Sequence, residues 1–218
     1  MGLYEFIHRW GRICLQCGCY RVRPSLFCQN CEESLCQRRQ RKDLWWPHKS
    51  ELIRGYAHFT WIPNQSRALS LLVEDLKGEH MKEAWNFWAR QSLQGLTESA
   101  TLKSGLKMKD GRAPILIPAP SSNFQKQDHA FVFAQKLGEL TGWPMKSCLQ
   151  KVSAGSQKHL DKKGRQAVKL VANEKISDDQ PVIFVDDVVT TGATAKAAYL
   201  ALGKPKNFFV IALAYRQS

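Results

Sequence analysis

The stretch that most constrains the fold runs from Val182 to Thr194 and reads VIFVDDVVTTGAT. Val182, Ile183, Phe184 and Val185 form a short apolar run rich in β-branched residues. That is the pattern of a strand buried in a parallel sheet. Asp186 and Asp187 follow at once, then Val188 and Val189, then Thr190, Thr191, Gly192, Ala193 and Thr194. From Ala193 the pattern turns helical, with Ala197, Leu200 and Ala201 on one face. The stretch therefore reads as strand, acidic step, hydroxyl- and glycine-rich turn, and helix. A turn that opens a helix presents unpaired N–H groups, and the helix dipole favours an anion there. Gly192 permits close backbone approach, and the threonines add hydroxyl donors. This chemistry suits a phosphate monoester, while carboxylates at a strand end can accept from sugar hydroxyls. In an open α/β sheet, ligands bind at the carboxyl ends of the strands. The competing reading is a surface turn with the aspartates as caps. Two adjacent aspartates, three threonines and a glycine within nine residues favour the ligand site.

Cysteine spacing sets off a second unit. Cys14-Leu-Gln-Cys17 and Cys28-Gln-Asn-Cys31 are two Cys-x2-Cys pairs. Each pair makes a knuckle with two thiolates facing one ion, and two knuckles supply the soft tetrahedral set that suits Zn2+. With four thiolates and no open position, such a site is a structural staple. In a chain whose first residues show no secretory pattern, this spacing favours metal over disulfides. Cys19 and Cys36 read as spectators, although either can replace a member of the set. Residues 1–46 are expected to form this zinc-binding module with its basic linker, and residues 47–218 the sheet domain.

The length of 218 residues accommodates one α/β domain and a small module, and 44% apolar content supplies a core. The absence of any apolar run of ~18 residues excludes a spanning helix, and a cytoplasmic location is the expectation. A net charge of +13, from 32 basic and 19 acidic residues, raises the expectation of a polyanionic partner. Solubility is the alternative use of that charge. The basic run Gln37 to Lys42 reads as a solvated linker or helix end. Beside Trp45 and Trp46 it could instead contact nucleic acid, but burial is the preferred role for the tryptophans.

Further along, Arg54 to Ile62 reads as a strand of a hairpin, and Gln65 to Lys77 and Met81 to Leu96 as helices. Pro114 to Ala119 reads as the first strand of the main sheet, followed by a helix over Asp128 to Thr141 that Gly142 and Pro144 close. Met145 to Leu149 reads as a second strand, and Asn207 to Leu213 as the last. Between them, Gln150 to Val168 is polar, basic and long, which is uncommon between strands unless functional. Strands alternating with helices from residue 114 onward predict an α/β fold with a parallel, doubly wound sheet.

These motifs carry a resemblance. Val182 to Thr194 resembles the 5-phosphoribosyl pyrophosphate (PRPP) binding stretch of type I phosphoribosyltransferases. The resemblance implies a parallel sheet with helices on both faces. It also implies that Asp186 and Asp187 hold the ribose hydroxyls and serve catalysis, with Thr190 to Thr194 on the 5′-phosphate. The order of parts narrows this. A four-cysteine module, Leu76-Lys77 before Gly78, the Ile117-Pro118-Ala119-Pro120 turn and a basic loop precede VDDVVTTGAT. That order resembles the ComF/GntX group, bacterial phosphoribosyltransferase-like proteins linked to DNA uptake in natural transformation. Ala119, Pro120, Ser121, Ser122 and Lys126 take the place of its pyrophosphate loop. Gln157, Leu160 and Arg165 match the flexible lid. The group's Arg-Gly-Phe-Asn-Gln stretch is replaced here by Gln125, Lys126, Gln127, Asp128 and His129. A lysine is a point charge without a bidentate fork, so phosphoribosyl binding is implied more strongly than transfer chemistry. The further implications are structural Zn2+, Mg2+ with the bound PRPP, and a single-stranded DNA partner. That DNA would be held by Lys158, Lys162, Lys163 and Arg165 of the lid and Arg38, Arg39 and Arg41 of the linker, with a ComF-type helicase as co-worker. The alternatives are an active phosphoribosyltransferase of nucleobase or related metabolism, and a zinc-stapled nucleotide-binding regulator.

Overall fold

The computed structural model describes residues 13–20, 24–37, 42–48, 51–62, 65–76, 81–98, 112–121, 128–152 and 169–217. The elements in chain order are α1 (Gln29–Gln37), β1 (Lys42–His48), β2 (Glu51–Trp61), α2 (Arg67–Asp75), α3 (Lys82–Glu98) and β3 (Ile115–Pro118). They continue as α4 (His129–Thr141), β4 (Leu149–Lys151), β5 (Leu170–Ala172), β6 (Val182–Val189), α5 (Ala193–Ala201) and β7 (Phe208–Arg216). Five strands form one sheet in the order β1-β2-β7-β6-β3. β2, β7, β6 and β3 run parallel, and β1 closes one edge antiparallel to β2.

The sequence explains this order. β6 and β7 are the most continuously apolar segments, and they take interior positions where both faces are covered. Alternate residues divide between two cores. Ile183, Val185, Phe209 and Ile211 face Leu72 of α2, Trp85 and Trp88 of α3 and Phe133 of α4. Val182, Phe184, Val210 and Ala212 face Ala195, Ala198 and Tyr199 of α5. Helices on both faces of a mainly parallel sheet are the predicted architecture. α4 shows its punctuation: Asp128 Oδ1 accepts from the His129 N–H at 2.7 Å, and Gly142 ends the helix at φ 73°.

Three elements differ from the sequence reading. The main sheet opens at β1 and β2, not at Pro114, and β3 is an edge strand. β1 carries Pro47 and pairs with β2 as the expected hairpin; proline is tolerated because the strand lies at an edge. Met145 makes a single parallel bridge to Leu116, and the chain then leaves the sheet. β4 instead pairs with β5 as a separate antiparallel ribbon, and β5 lies against α5. This ribbon brackets the polar segment 153–168.

The cysteine module is packed into the first core. Leu26, Phe27 and Leu35 are buried in the same cluster as Phe59, Trp85 and Trp88. The Trp88 indole N–H donates to the Ser25 carbonyl at 3.3 Å, and Trp88 is fully buried.

Candidate functional site

β6 outruns its neighbour. β3 pairs with β6 only up to Pro118 opposite Val185, where the Ala119 N–H donates to the Val185 carbonyl at 2.8 Å. On the other side β6 stays paired with β7 as far as Val189 opposite Tyr215. Asp186 and Asp187 therefore sit within the strand, not after it, on a stretch that, among the described residues, has no strand partner on the β3 side. Ala119 leaves β3 next to the residue that precedes Asp186, and Pro120 and Ser121 follow it. The aspartates thus lie at the carboxyl end of a parallel strand, the end at which open α/β sheets bind ligands.

The two carboxylates are half-buried, and their local bonds hold the step. Asp186 Oδ1 accepts from the Asp187 N–H at 3.0 Å, and Asp187 Oδ1 from the Val188 N–H at 2.8 Å. Burial, and then the like charge of Asp187, push the Asp186 carboxyl well above the usual range. Lys151, the last residue of β4, pulls it in the opposite direction.

Beyond Val189 the chain turns. Thr190 and Thr191 are exposed, Gly192 is buried at φ 74° in the left-handed region, and Ala193 and Thr194 are half-buried at the start of α5. A residue with a Cβ is strained at that dihedral, which explains the glycine. The Lys196 N–H donates to the Gly192 carbonyl at 2.9 Å, closing the first helical turn. The exposed hydroxyls and the helix start thus adjoin the carboxylate pair.

Asp186 gives a pH test. Its raised value means that stability is fully present below the ordinary carboxylate range and is lost as pH rises through the raised value. Asp186→Asn is expected to stabilise the unliganded protein at neutral pH by about 0.5–2 kcal/mol, the usual gain when a functional strain is relieved. That is a rise in unfolding midpoint of roughly 2–4 °C per kcal/mol. The gap should close as pH falls below the carboxylate range; a lowered midpoint at neutral pH would refute it.

The second candidate site is the cysteine cluster. Cys14, Cys17, Cys28 and Cys31 come together with all sulfurs within 4.8 Å of one another. Zn–S bonds of about 2.3 Å place tetrahedral thiolates about 3.8 Å apart, and Cys17 Sγ lies 3.7 Å from Cys28 Sγ. The donor set thus fits zinc. Cys14 and Cys17 lie on a small hairpin closed by an Ile13–Tyr20 bridge, with the Gly18 N–H donating to the Cys14 carbonyl at 3.0 Å. Cys28 and Cys31 open α1, where the Glu32 N–H reaches the Cys28 carbonyl at 2.9 Å. The N–H of Cys19 lowers the Cys17 thiol and that of Cys31 lowers the Cys28 thiol, favouring the thiolate that binds metal.

Of the sequence-predicted residues, Asp186 to Thr194, Ala119 to Ser121 and the four cysteines are therefore placed. Ser122, Lys126, Lys158, Lys162, Lys163 and Arg165 lie outside the described residues, as do Arg38, Arg39 and Arg41. The sequence reading gave no site role to Lys151, although it is the first basic residue of the polar segment. It read Cys19 as a spectator that can replace a member of the set, and Cys19 Sγ lies 3.1 Å from Cys17 Sγ.

No family model matches this chain, and no curated protein matches it. Among solved structures, the chain is similar to a purine phosphoribosyltransferase from Pyrococcus horikoshii Ot3, at 15% identity and a TM-score of 0.35, over 61% of this chain and 84% of that one. It is also similar to a hypoxanthine phosphoribosyl transferase of Trypanosoma cruzi, at 14% identity and a TM-score of 0.40, over 62% of this chain and 74% of that one.

Proposed function

We propose that this chain binds PRPP at the step from β6 to α5 and works as a ComF-like protein in natural transformation, handling single-stranded DNA in the cytoplasm. One observation carries the ligand: paired carboxylates on β6 beyond its pairing with β3 are followed, after Val188 and Val189, by an exposed threonine pair, a left-handed glycine and a helix start. Asp186 and Asp187 accept from the ribose 2′- and 3′-hydroxyls. Backbone N–H groups and hydroxyls from Thr190 to Thr194 donate to the 5′-phosphate. The Ala119 to Ser121 turn, with Ser122 and Lys126 after it, faces the pyrophosphate. Mg2+ suits these hard oxygen donors, with Asp186 and Asp187 as its protein partners, and when bound it neutralises pyrophosphate charge. The four cysteines hold Zn2+ as a staple. In this reading residues 1–46 form the metal module and 47–218 the phosphoribosyltransferase-like part, the two joined through one buried cluster.

The DNA reading rests on where the charge lies. Among the described residues acidic and basic side chains nearly balance, so the +13 excess falls in the other segments. Those include Arg38, Arg39 and Arg41, and Lys158, Lys162, Lys163 and Arg165. Phosphate contacts of this kind position a strand without reading bases. A second reading, an active phosphoribosyltransferase, shares the same ligand site.

One paired assay separates the readings. Pyrophosphate release from PRPP is followed with Mg2+ and a panel of nucleobases, beside a single-stranded DNA titration at several salt concentrations. The expected result is DNA binding with a log–log salt slope of about −0.7 per phosphate neutralised, weakened by Lys162→Glu with Lys163→Glu, and no base-dependent release. Release with one base selects the enzyme. DNA affinity that is immeasurable at low salt, or untouched by the double substitution, removes the DNA role.

A further inference from the structure

The metal cluster has a fifth thiol. Cys19 stands outside the mutual set of four sulfurs, yet its Sγ lies 3.1 Å from Cys17 Sγ, closer than the 3.7 Å between Cys17 and Cys28. It also contacts the Cys28 thiol. Its backbone is fixed within the same knuckle: the Cys14 N–H donates to the Cys19 carbonyl at 2.8 Å, and Gly18 at φ 74° turns the chain between Cys17 and Cys19. Cys19 thus stands beside Cys17, the exposed member of the four. Cys14 is buried, and Cys28 and Cys31 are half-buried. Cys17 and Cys19 are both exposed.

We propose that Cys19 is a reserve zinc ligand that takes the coordination position of Cys17 when Cys17 is lost or blocked. The exchange is a substitution at the metal: an alkylated Cys17 leaves zinc as a neutral thioether (in its absence the position is filled by water, which leaves), the Cys19 thiol gives its proton to water and binds as thiolate, and no electrons are transferred. Its physical basis is proximity, because Cys19 needs a side-chain rotation and no movement of the knuckle's hydrogen-bonded frame. A site built this way exchanges one ligand at its exposed corner while three others hold the fold. This inference concerns the cysteine cluster alone and does not depend on the phosphoribosyl reading.

The test compares full-length single and double variants, each purified with zinc and then loaded with Co2+, whose thiolate-to-metal charge-transfer band reports how many sulfurs are bound. Cys17→Ser is expected to keep one metal per chain and the band intensity of four thiolates. Cys17→Ser with Cys19→Ser should drop to three thiolates and lose its zinc to a chelator concentration that the single variant withstands. Cys19→Ser alone should match the parent protein, and Cys31→Ser should lose the fourth thiolate although Cys19 is present. Blocking offers a check that needs no substitution at a ligand. Zinc-loaded parent protein treated with limiting alkylating agent should retain zinc in molecules modified once at Cys17, as mass spectrometry of the intact metal complex would show. A Cys17→Ser protein whose band equals that of the double variant would overturn the proposal, as would zinc loss from chains modified only at Cys17.

Discussion

Stripping zinc from the cysteine cluster is expected to destabilise the chain well beyond the module that holds it. Structural zinc contributes on the order of 10 kcal/mol in small domains, which is comparable to the whole stability of a typical protein. The module here does not sit apart. Leu26, Phe27 and Leu35 are buried in one cluster with Trp85 and Trp88 of α3, and Ser25 accepts from the Trp88 indole. Cys14 belongs to that cluster as well, at 1% exposure. Among the described cysteines none is in a disulfide, so a bound metal would be the one cross-link that side chains of the cysteines make between the Cys14–Cys17 hairpin and the start of α1. Without the metal, Phe27 loses its enclosure, and Trp88 faces the space it leaves. At roughly 2–4 °C per kcal/mol, transmission of even half of the metal's contribution lowers the unfolding midpoint by about 10–20 °C. Opening should begin in the module and continue into α3. Hydrogen exchange after chelation, compared with zinc-restored protein, is the measurement. Cys28→Ser with Cys31→Ser should reproduce the effect. If the module loses protection while amides around Trp88 keep theirs, the two parts are energetically independent and this account fails.

What was legible in the sequence was what local chemistry decides. β6 and β7 announce themselves because interior parallel strands must be apolar on both faces, and the Val182–Val185 run satisfies that alone. α4 is bounded by Asp128 and Gly142, whose capping geometry needs no distant partner. The clustering of Cys14, Cys17, Cys28 and Cys31 follows from knuckle spacing. What was not legible depends on partners far along the chain. Asp186 and Asp187 belong to β6 because Ala212 and Ala214 of β7 keep pairing past the end of β3. Sequence around the aspartates carries no sign of this. β1 is concealed by Pro47 and its charged start, which only an edge position tolerates. Met145 reads as a strand residue, yet its neighbour β3 has only four residues to offer and the chain turns to β5 instead. The influence of Lys151 on Asp186 arises only because the β4–β5 ribbon packs against the helix that follows the aspartates.

Removing the two carboxylates is expected to abolish phosphoribosyl binding while making the unliganded protein more stable. Asp186→Asn with Asp187→Asn takes away two charged acceptors for ribose hydroxyls and the oxygen donors for Mg2+. At about 1.5–3 kcal/mol for each hydrogen bond to a charged group, the sum is about 3–6 kcal/mol, a loss of more than a hundredfold in affinity. The same change relieves the burial and like-charge cost borne by Asp186, so the unfolding midpoint at neutral pH should rise. Opposite signs are what separate a site from a structural element, because damage to the fold would lower both quantities. Thr191→Ala removes one hydroxyl donor from an exposed position, with about 1–3 kcal/mol of binding lost and little change in stability. Ribose 5-phosphate serves as the control ligand. It has the phosphate monoester and both hydroxyls but no pyrophosphate, so all of these substitutions should weaken it as they weaken PRPP. Changes in the pyrophosphate loop, such as Lys126→Ala, should spare it. Calorimetric titration of both ligands against each variant decides the matter. Unchanged affinity in the double aspartate variant and in Thr191→Ala would mean that the turn from β6 to α5 is a surface turn and that the ligand site lies elsewhere.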